Sequence, residues 1–332
     1  MNTSLVAPKP FRIGILVYEG CVASEVFALL DVLRIAGHIQ KQRRSVSAAA
    51  VVPEVHVLGL AGPLVRVASG VPLGVERPRG AWDLLVVPGP DISRLDDWAA
   101  VLAPLGPEVA FIRKAFAKGT ALAGVCVGSF VLAQAGVLDG RRATTAWVCT
   151  AQLAQQFPAV QVQADAVLVE DGAVVTTGAV TSAFDLALHL VKRLWGAGVA
   201  SATGNVALLP QVRASQAPYV DATLVDRTLP PFSQGVAQWL QTRLAEPFKL
   251  ATLAQAFYVS PRTLLRRVKE QAGCTPLTLL QRARVEQAKH LLRSSQQSLA
   301  QITQAVGYSD VPTFSRLFVQ QVGCSPAVFR RG

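Results

Sequence analysis

Two places in the sequence combine residue type and spacing in a way that could do chemistry. The first is Ala123-Gly124-Val125-Cys126-Val127-Gly128, where a thiol stands between two glycines at the end of an apolar run. Glycine on both flanks permits a sharp strand-to-helix turn that presents a nucleophile, the geometry of a nucleophile elbow with sulfur replacing the hydroxyl. At a helix N-terminus the thiol is expected to ionise more readily than usual, because unpaired N–H groups favour the thiolate. The second place is a repeated scheme of short helix, tight turn and longer helix with polar and basic residues. It reads LATLAQAFYVSPRTLLRRVKEQAG from Leu250 and LAQITQAVGYSDVPTFSRLFVQQVG from Leu299. Each copy predicts two helices at a steep angle, the arrangement in which a second helix enters the major groove of DNA.

Charge singles out the second place. From Phe232 onward there are thirteen Lys/Arg against four acids, +9 of the chain's formal +11, whereas the preceding part is nearly balanced. A basic surface is therefore expected in the C-terminal third, and charge alone admits nucleic acid, anionic lipid or acidic protein as its partner. With 51% hydrophobic and only 16% charged residues, global disorder is excluded. The 332 residues suit two domains, since domains usually hold roughly 100 to 200 each. The opening MNTSLVAPKPFRIGILV lacks a signal peptide's apolar run and cleavage site, so a cytoplasmic protein is expected. Ala121 to Leu138 is apolar for long enough to resemble a membrane span, but its glycines, Ser129 and Gln134 make it strand, turn and helix instead. Five scattered cysteines point to free thiols. No cluster has metal-ligand spacing and no phosphate-binding glycine loop occurs, so no metal or cofactor is expected.

The elbow needs a sheet behind it. Arg12–Val17, Val55–Leu58, Asp83–Val87, Thr120–Val125 and Ala173–Thr177 read as buried strands. Helical spacing falls at Glu25–Ala36, Pro107–Lys118, Ser129–Ala135, Cys149–Gln156 and Ala183–Leu194. The alternation predicts a largely parallel sheet covered on both faces, and Asp171-Gly172 predicts a hairpin at one edge. From about Val206 to Ser233, scattered prolines and no sustained period predict a linker with some packed structure. Everything after it reads as helix: 234–243, 250–257, 261–271, 276–292, 299–306 and 311–321. Ser260 caps one helix with Pro261 in its first turn; Gly307 ends another, and Ser309 or Asp310 caps the next. Phe257, Leu264, Val268, Ile302, Val306, Phe314, Leu317 and Phe318 are core by their spacing.

The C-terminal hundred residues resemble an AraC-type DNA-binding domain. The likeness rests on the first helix-turn-helix, on ARVEQAKHLLRSS (Ala283–Ser295), and on a run from Ile302 to Arg330 that includes GYSD, FSRLF, SP and FR. It implies two recognition helices entering successive major grooves, with Arg262, Leu265 and Arg266 facing bases from the first, and Thr313 and Arg316 from the second. The chemistry agrees. Guanidinium groups pair with guanine edges or bind phosphate, and Leu265 and Thr313 suit thymine methyls, the Thr313 hydroxyl also being able to hydrogen-bond.

Residues 11 to about 197 resemble the class I glutamine-amidotransferase-like superfamily, which includes intracellular proteases. The likeness rests on the elbow, on WDLLVVPGP (Trp82–Pro90) and on GCVASEVFALLDVLRIAG (Gly20–Gly37). It implies a flavodoxin-like, doubly wound, mostly parallel α/β sheet, followed here by the all-α tandem helix-turn-helix domain. It also places Glu25 where an acid hydrogen-bonds the elbow cysteine. Fusion of the two resembles the GlxA-like AraC-family regulators, with a sensor domain at 1–205, a linker at 206–232 and a DNA-binding domain at 233–332. Enzymatic members carry a histidine in a string like TTH, but Thr144-Thr145-Ala146-Trp147 has alanine there. Without a base, Cys126 lacks the dyad hydrolysis needs.

Cys126 then reads as an inert buried thiol, a ligand-pocket residue or a redox-sensitive thiolate. The pocket reading, with Glu25 and Trp147 beside it, fits the rule that ligands bind beyond the carboxyl ends of strands. The expected function is a sequence-specific transcription regulator that senses a small molecule and is not an enzyme. A cysteine-dependent amidase or hydratase carrying a DNA-binding domain is the alternative. The resemblance implies double-stranded promoter or operator DNA, a small-molecule effector, a homodimer and RNA polymerase as partners, with no membrane involved.

Overall fold

The computed structural model of the chain describes residues 10–43, 53–91, 97–210, 213, 215–221, 224 and 231–331. They form two compact units, 1–216 and 217–332.

In chain order the first unit contains β1 (Phe11–Leu16), α1 (Ala23–Arg43), β2 (Pro53–Leu58), β3 (Leu64–Arg66), β4 (Pro72–Gly74), β5 (Leu84–Val87), α2 (Trp98–Leu102), α3 (Gly106–Ala117), β6 (Ala121–Gly124), α4 (Gly128–Gln134), β7 (Arg142–Ala143), α5 (Thr150–Gln156), β8 (Gln161–Val162), β9 (Leu168–Asp171), β10 (Val174–Thr177), α6 (Ser182–Trp195) and α7 (Ala197–Val206). Six strands make the main sheet in the order β2-β1-β5-β6-β10-β9. The first five run parallel and β9 closes the edge as the antiparallel partner of β10. Counting parallel strands alone, this is the flavodoxin-like 2-1-3-4-5 order, with its switch point between β1 and β5.

The sequence shows why the strands are buried on both faces. β5 is LLVV and every residue of it is buried, because helices cover both sides of the sheet and no solvent face is left to require polar alternation. α1 buries Val26, Leu29, Val32, Leu33 and Ala36 against the unit's core, while Leu30 is only half-buried. The Asp171-Gly172 hairpin forms as expected, with Gly172 at φ +62°. α7 is an addition to the expected elements. Its sequence, AGVASATGNV, has no broad apolar stripe, yet its small residues let it pack beside α1 and α6. No helix among the described residues is long and apolar enough to cross a membrane, and Ala121–Leu138 is β6, the elbow and α4.

The second unit is helical: α8 (Pro231–Gln241), α9 (Leu250–Ala256), α10 (Pro261–Ala272), α11 (Pro276–Ser294), α12 (Leu299–Ala305), α13 (Val311–Val322) and α14 (Pro326–Arg330). The helix starts follow from local chemistry. Ser260, Thr275, Ser298, Asp310 and Ser325 each accept a backbone N–H at the third helical residue, and Ser298 and Gln301 form a reciprocal capping box. Two apolar cores result. Val236, Leu240, Leu253, Leu264 and Val268 build the first; Ile302, Val306, Phe314, Phe318, Val322 and Phe329 build the second. α11 supplies both, giving Leu279 and Leu280 to the first and Val285, Ala288 and Leu292 to the second. Phe314 and Phe318 are fully buried, each contributing about 2 to 3 kcal/mol by removal from water. Of the residues assigned to core from spacing, Phe257 and Leu317 are half-buried and the other six are buried.

Candidate functional site

The elbow is built by close backbone approach. Cys126 has φ +53°, a conformation that costs a residue with a side chain roughly 1 to 2 kcal/mol. Both flanking glycines are required by contact rather than by dihedral. A Cβ on Gly128 would lie 2.3 Å from the Val87 carbonyl oxygen, and one on Gly124 would lie 2.8 Å from Leu132. The Cys126 carbonyl is held by two hydroxyls, Ser129 Oγ at 3.0 Å and Thr145 Oγ1 at 3.1 Å.

Around it, the segments that follow three neighbouring strands converge: Glu25 in the first turn of α1 after β1, Gly89 after β5 and Cys126 after β6. The Gly89 N–H donates to Glu25 Oε2 at 2.6 Å, and Glu25 also interacts with the Cys126 thiol. Glu25 is fully buried and Cys126 is 1% exposed. Burial drives the protonation of both. It pushes Glu25 up to about 8 against the opposing hydrogen bonds from Gly89 and Cys126. The same burial, reinforced by the negative charge of Glu25, pushes Cys126 well above the ordinary thiol range. The expected lowering at the helix N-terminus is thus corrected: the Val127 N–H does pull the thiol pKa down, but desolvation outweighs it. At neutral pH the pair is mostly a neutral acid beside a neutral thiol. Cys149 and Cys21, both buried near this region, are likewise raised, to about 12 and about 11.

Trp147 is half-buried and opens a short 3-10 turn, Trp147–Cys149, directly after the buried Thr144, Thr145 and Ala146. Its N–H donates to Gln216 Oε1 at 3.2 Å. Ala146 is buried, and none of the four histidines stands in that loop. His56 pairs with Glu76 at 2.6 Å; His189 lies 3.2 Å from Glu170, with burial lowering its pKa. His38 and His290 are exposed.

In the second unit Arg262, Leu265 and Arg266 are exposed on α10, opposite the buried Leu264 and Val268. Thr313 and Arg316 are exposed on α13, opposite Phe314 and Phe318. Arg316 donates to Thr313 Oγ1 at 3.3 Å, so the two side chains are already oriented together. Arg266 forms an i,i+4 pair with Glu270 at 3.1 Å, and with both partners exposed the pair costs little to break. Two of the thirteen basic residues leave the basic surface. Arg284, 7% exposed, donates to the carbonyls of Leu244 and Glu246 at 2.9 and 2.8 Å and lies over the Tyr308 ring. Lys289, 5% exposed, pairs with Glu286 and the Val220 carbonyl.

A sequence profile described as the DJ-1/PfpI family matches residues 11–193, which hold β1 to α6 and the whole elbow. The chain belongs to the DJ-1/PfpI family. This DJ-1/PfpI chain also carries a match to a helix-turn-helix domain over residues 253–332, and its helical region is of AraC type. The HTH-type transcriptional regulator GbdR of Pseudomonas aeruginosa is 24% identical, over 98% of this chain and 85% of that one. The HTH-type transcriptional regulator GlxA of Rhizobium meliloti is 28% identical, over 71% of each. Among solved structures, a THiJ/PfpI family protein from Pseudomonas syringae shares the fold with a TM-score of 0.50 and 21% identity, over 70% of this chain and 87% of that one.

Of the residues singled out in the sequence, the fold brings Glu25 to Cys126 and leaves Arg262, Arg266 and Arg316 exposed. Sequence reasoning missed Thr145 and Ser129, which hold the elbow carbonyl, and Gln216, which holds the loop behind it. Hydroxyl and amide side chains acting on backbone groups leave no periodic signal.

Proposed function

We propose that this chain is a sequence-specific DNA-binding transcription regulator whose DJ-1/PfpI domain senses a small molecule at the elbow, with Glu25, Cys126 and Trp147 beside the ligand. The observation that carries the DNA-binding part is the pair of capped helices, α10 and α13. Each presents guanidinium and small or apolar groups outward from a rigid aromatic or aliphatic core. The naming of GbdR and GlxA as HTH-type transcriptional regulators supports it. Arg262, Leu265, Arg266, Thr313 and Arg316 are the base-facing residues of this reading. A homodimer and recruitment of RNA polymerase at a promoter belong to it as partners.

The regulator reading is favoured over a cysteine-dependent amidase or hydratase by the state of the elbow. Its thiol and acid are buried and mostly neutral, and alanine occupies position 146. A nucleophile needs a thiolate and a group to take its proton. The test is binding of the full chain to DNA from upstream of its own gene and to scrambled DNA of equal length, across a salt series. Preference for particular sites, lost in Arg266→Ala or Arg316→Ala and kept in Cys126→Ala, is the expected result. Weak binding without preference, together with turnover that Cys126→Ala abolishes, would overturn it.

A further inference from the structure

The end of the first unit is fastened to the loops behind the elbow. The Arg213 guanidinium pairs with the Asp185 carboxylate and donates to Thr181 Oγ1 at 2.8 Å. Ser215 bridges antiparallel to Ala166, and the Gln216 N–H donates to the Asp165 carbonyl at 2.7 Å. The Gln216 side chain then enters a cage of main-chain groups and is only 4% exposed. Its Oε1 accepts from the N–H groups of Trp147 at 3.2 Å and Ala179 at 3.1 Å. Its Nε2 donates to the carbonyls of Thr145 and Ala166, each at 2.9 Å.

Only a primary carboxamide satisfies this cage. Glutamate has no N–H for the two carbonyls, and leucine would leave the N–H groups of Trp147 and Ala179 without their acceptor, at about 1 to 3 kcal/mol each, and would strip both carbonyls of a donor, Ala166 keeping only the Thr144 hydroxyl at 2.9 Å. The fold makes room for the amide at Gly178, where a Cβ would lie 2.4 Å from it. The same Thr145 whose carbonyl holds Gln216 uses its hydroxyl to hold the Cys126 carbonyl at 3.1 Å. One residue thus ties the elbow to Gln216, and the next peptide bond leads to Ala217, the first residue of the second unit.

We propose that Gln216 is a latch through which the elbow controls the segment that enters the DNA-binding unit. Any occupant or modification that displaces Thr145 from the Cys126 carbonyl disturbs the carboxamide cage and releases Gln216. This rests on the sensing reading above and specifies how that site would be read out.

Amide hydrogen exchange on the full chain tests it, with binding to DNA from upstream of its own gene as the second readout. In Gln216→Ala, exchange at Trp147 and Ala179 should accelerate at least tenfold, and the Kd for that DNA should shift at least threefold. Thr145→Val, which keeps the carbonyl but cuts the tie to Cys126, should shift both in the same direction by less. The double variant should match Gln216→Ala alone, because both changes open one latch. Unchanged exchange in Gln216→Ala, altered exchange with unchanged DNA affinity, or additive effects would each overturn the latch. If Gln216→Ala fails to fold, Thr145→Val decides by the same two readouts. Failure of every metabolite tried to alter DNA binding of the unmodified protein would remove the sensing reading but leave the exchange result standing, so the two failures are distinguishable.

Discussion

The two helix-turn-helix halves close their turns with the same backbone and different residues. In the first, the N–H of Tyr258 reaches the Gln255 carbonyl and that of Val259 reaches Ala254; in the second, Gly307 reaches Gln304 and Tyr308 reaches Thr303. Tyr258 and Gly307 are therefore equivalent, and both have positive φ, +54° and +81°. Yet Tyr258 is 97% exposed, whereas a Cβ on Gly307 would lie 2.3 Å from the Leu244 carbonyl oxygen and 2.7 Å from Arg284. Positive φ alone admits a tyrosine at modest cost; a neighbouring chain pressed against the turn does not. The recognition helices differ in the same spirit. α10 carries Arg262, Arg266, Arg267 and Lys269, while α13 has Arg316 as its only basic residue and buries two phenylalanines behind it. The first half is equipped for charge, the second for packing and oriented contact.

The sharpest way to break this comparison is Gly307→Ala. Strain and clash together should destabilise the second unit by about 3 kcal/mol or more, read as a lower denaturant midpoint. Tyr258→Ala should stay within about 0.5 kcal/mol, and an equal loss at both positions would refute the distinction. Arg284→Met, which keeps the apolar stem but strips the Leu244 and Glu246 carbonyls of their charged donor, should cost about 1.5 to 3 kcal/mol in the same assay. On DNA, Arg316→Ala should lose about 1 to 3 kcal/mol and relax base preference at one position, because it acts with Thr313. Arg267→Ala or Lys269→Ala in α10 should weaken all sequences alike and lower the salt slope by about 1 each. Equal effects of the two kinds on specificity would erase the division of labour. Tyr258→Gly should give a small gain, about 0.5 to 1 kcal/mol, from relief of the left-handed tyrosine, less any entropy the glycine restores to the unfolded chain.

Much of this was legible before the structure. Strands announced themselves as short apolar runs, because a sheet covered on both faces admits little else, and the helix starts of the second unit were fixed by Ser, Thr, Asp and Pro acting within one turn. Gly307 was expected to end a helix, and Asp310, rather than Ser309, proves to be the cap of the next. What escaped depends on distance along the chain. α7 owes its place to α1 and α6, not to a stripe of its own. Gln216 lies in a Pro-rich stretch that reads as linker, and its cage partners are 37 to 71 residues away. The thiol was misjudged because the dipole of a helix start is visible in a motif, whereas the depth of burial that overrides it is not. Arg284 and Lys289 count as surface charge in any composition and turn out to be structural.

The sharing of α11 between the two cores has a geometric consequence. A helix advances about 1.5 Å and turns about 100° for every residue. With Leu279 and Leu280 anchored in one core and Val285, Ala288 and Leu292 in the other, the residues between them set the phase at which the two reading heads are mounted. A single inserted residue there would swing one core a quarter-turn or more around the other, so the relative setting of the two helix-turn-helix halves depends on a count of residues in one helix.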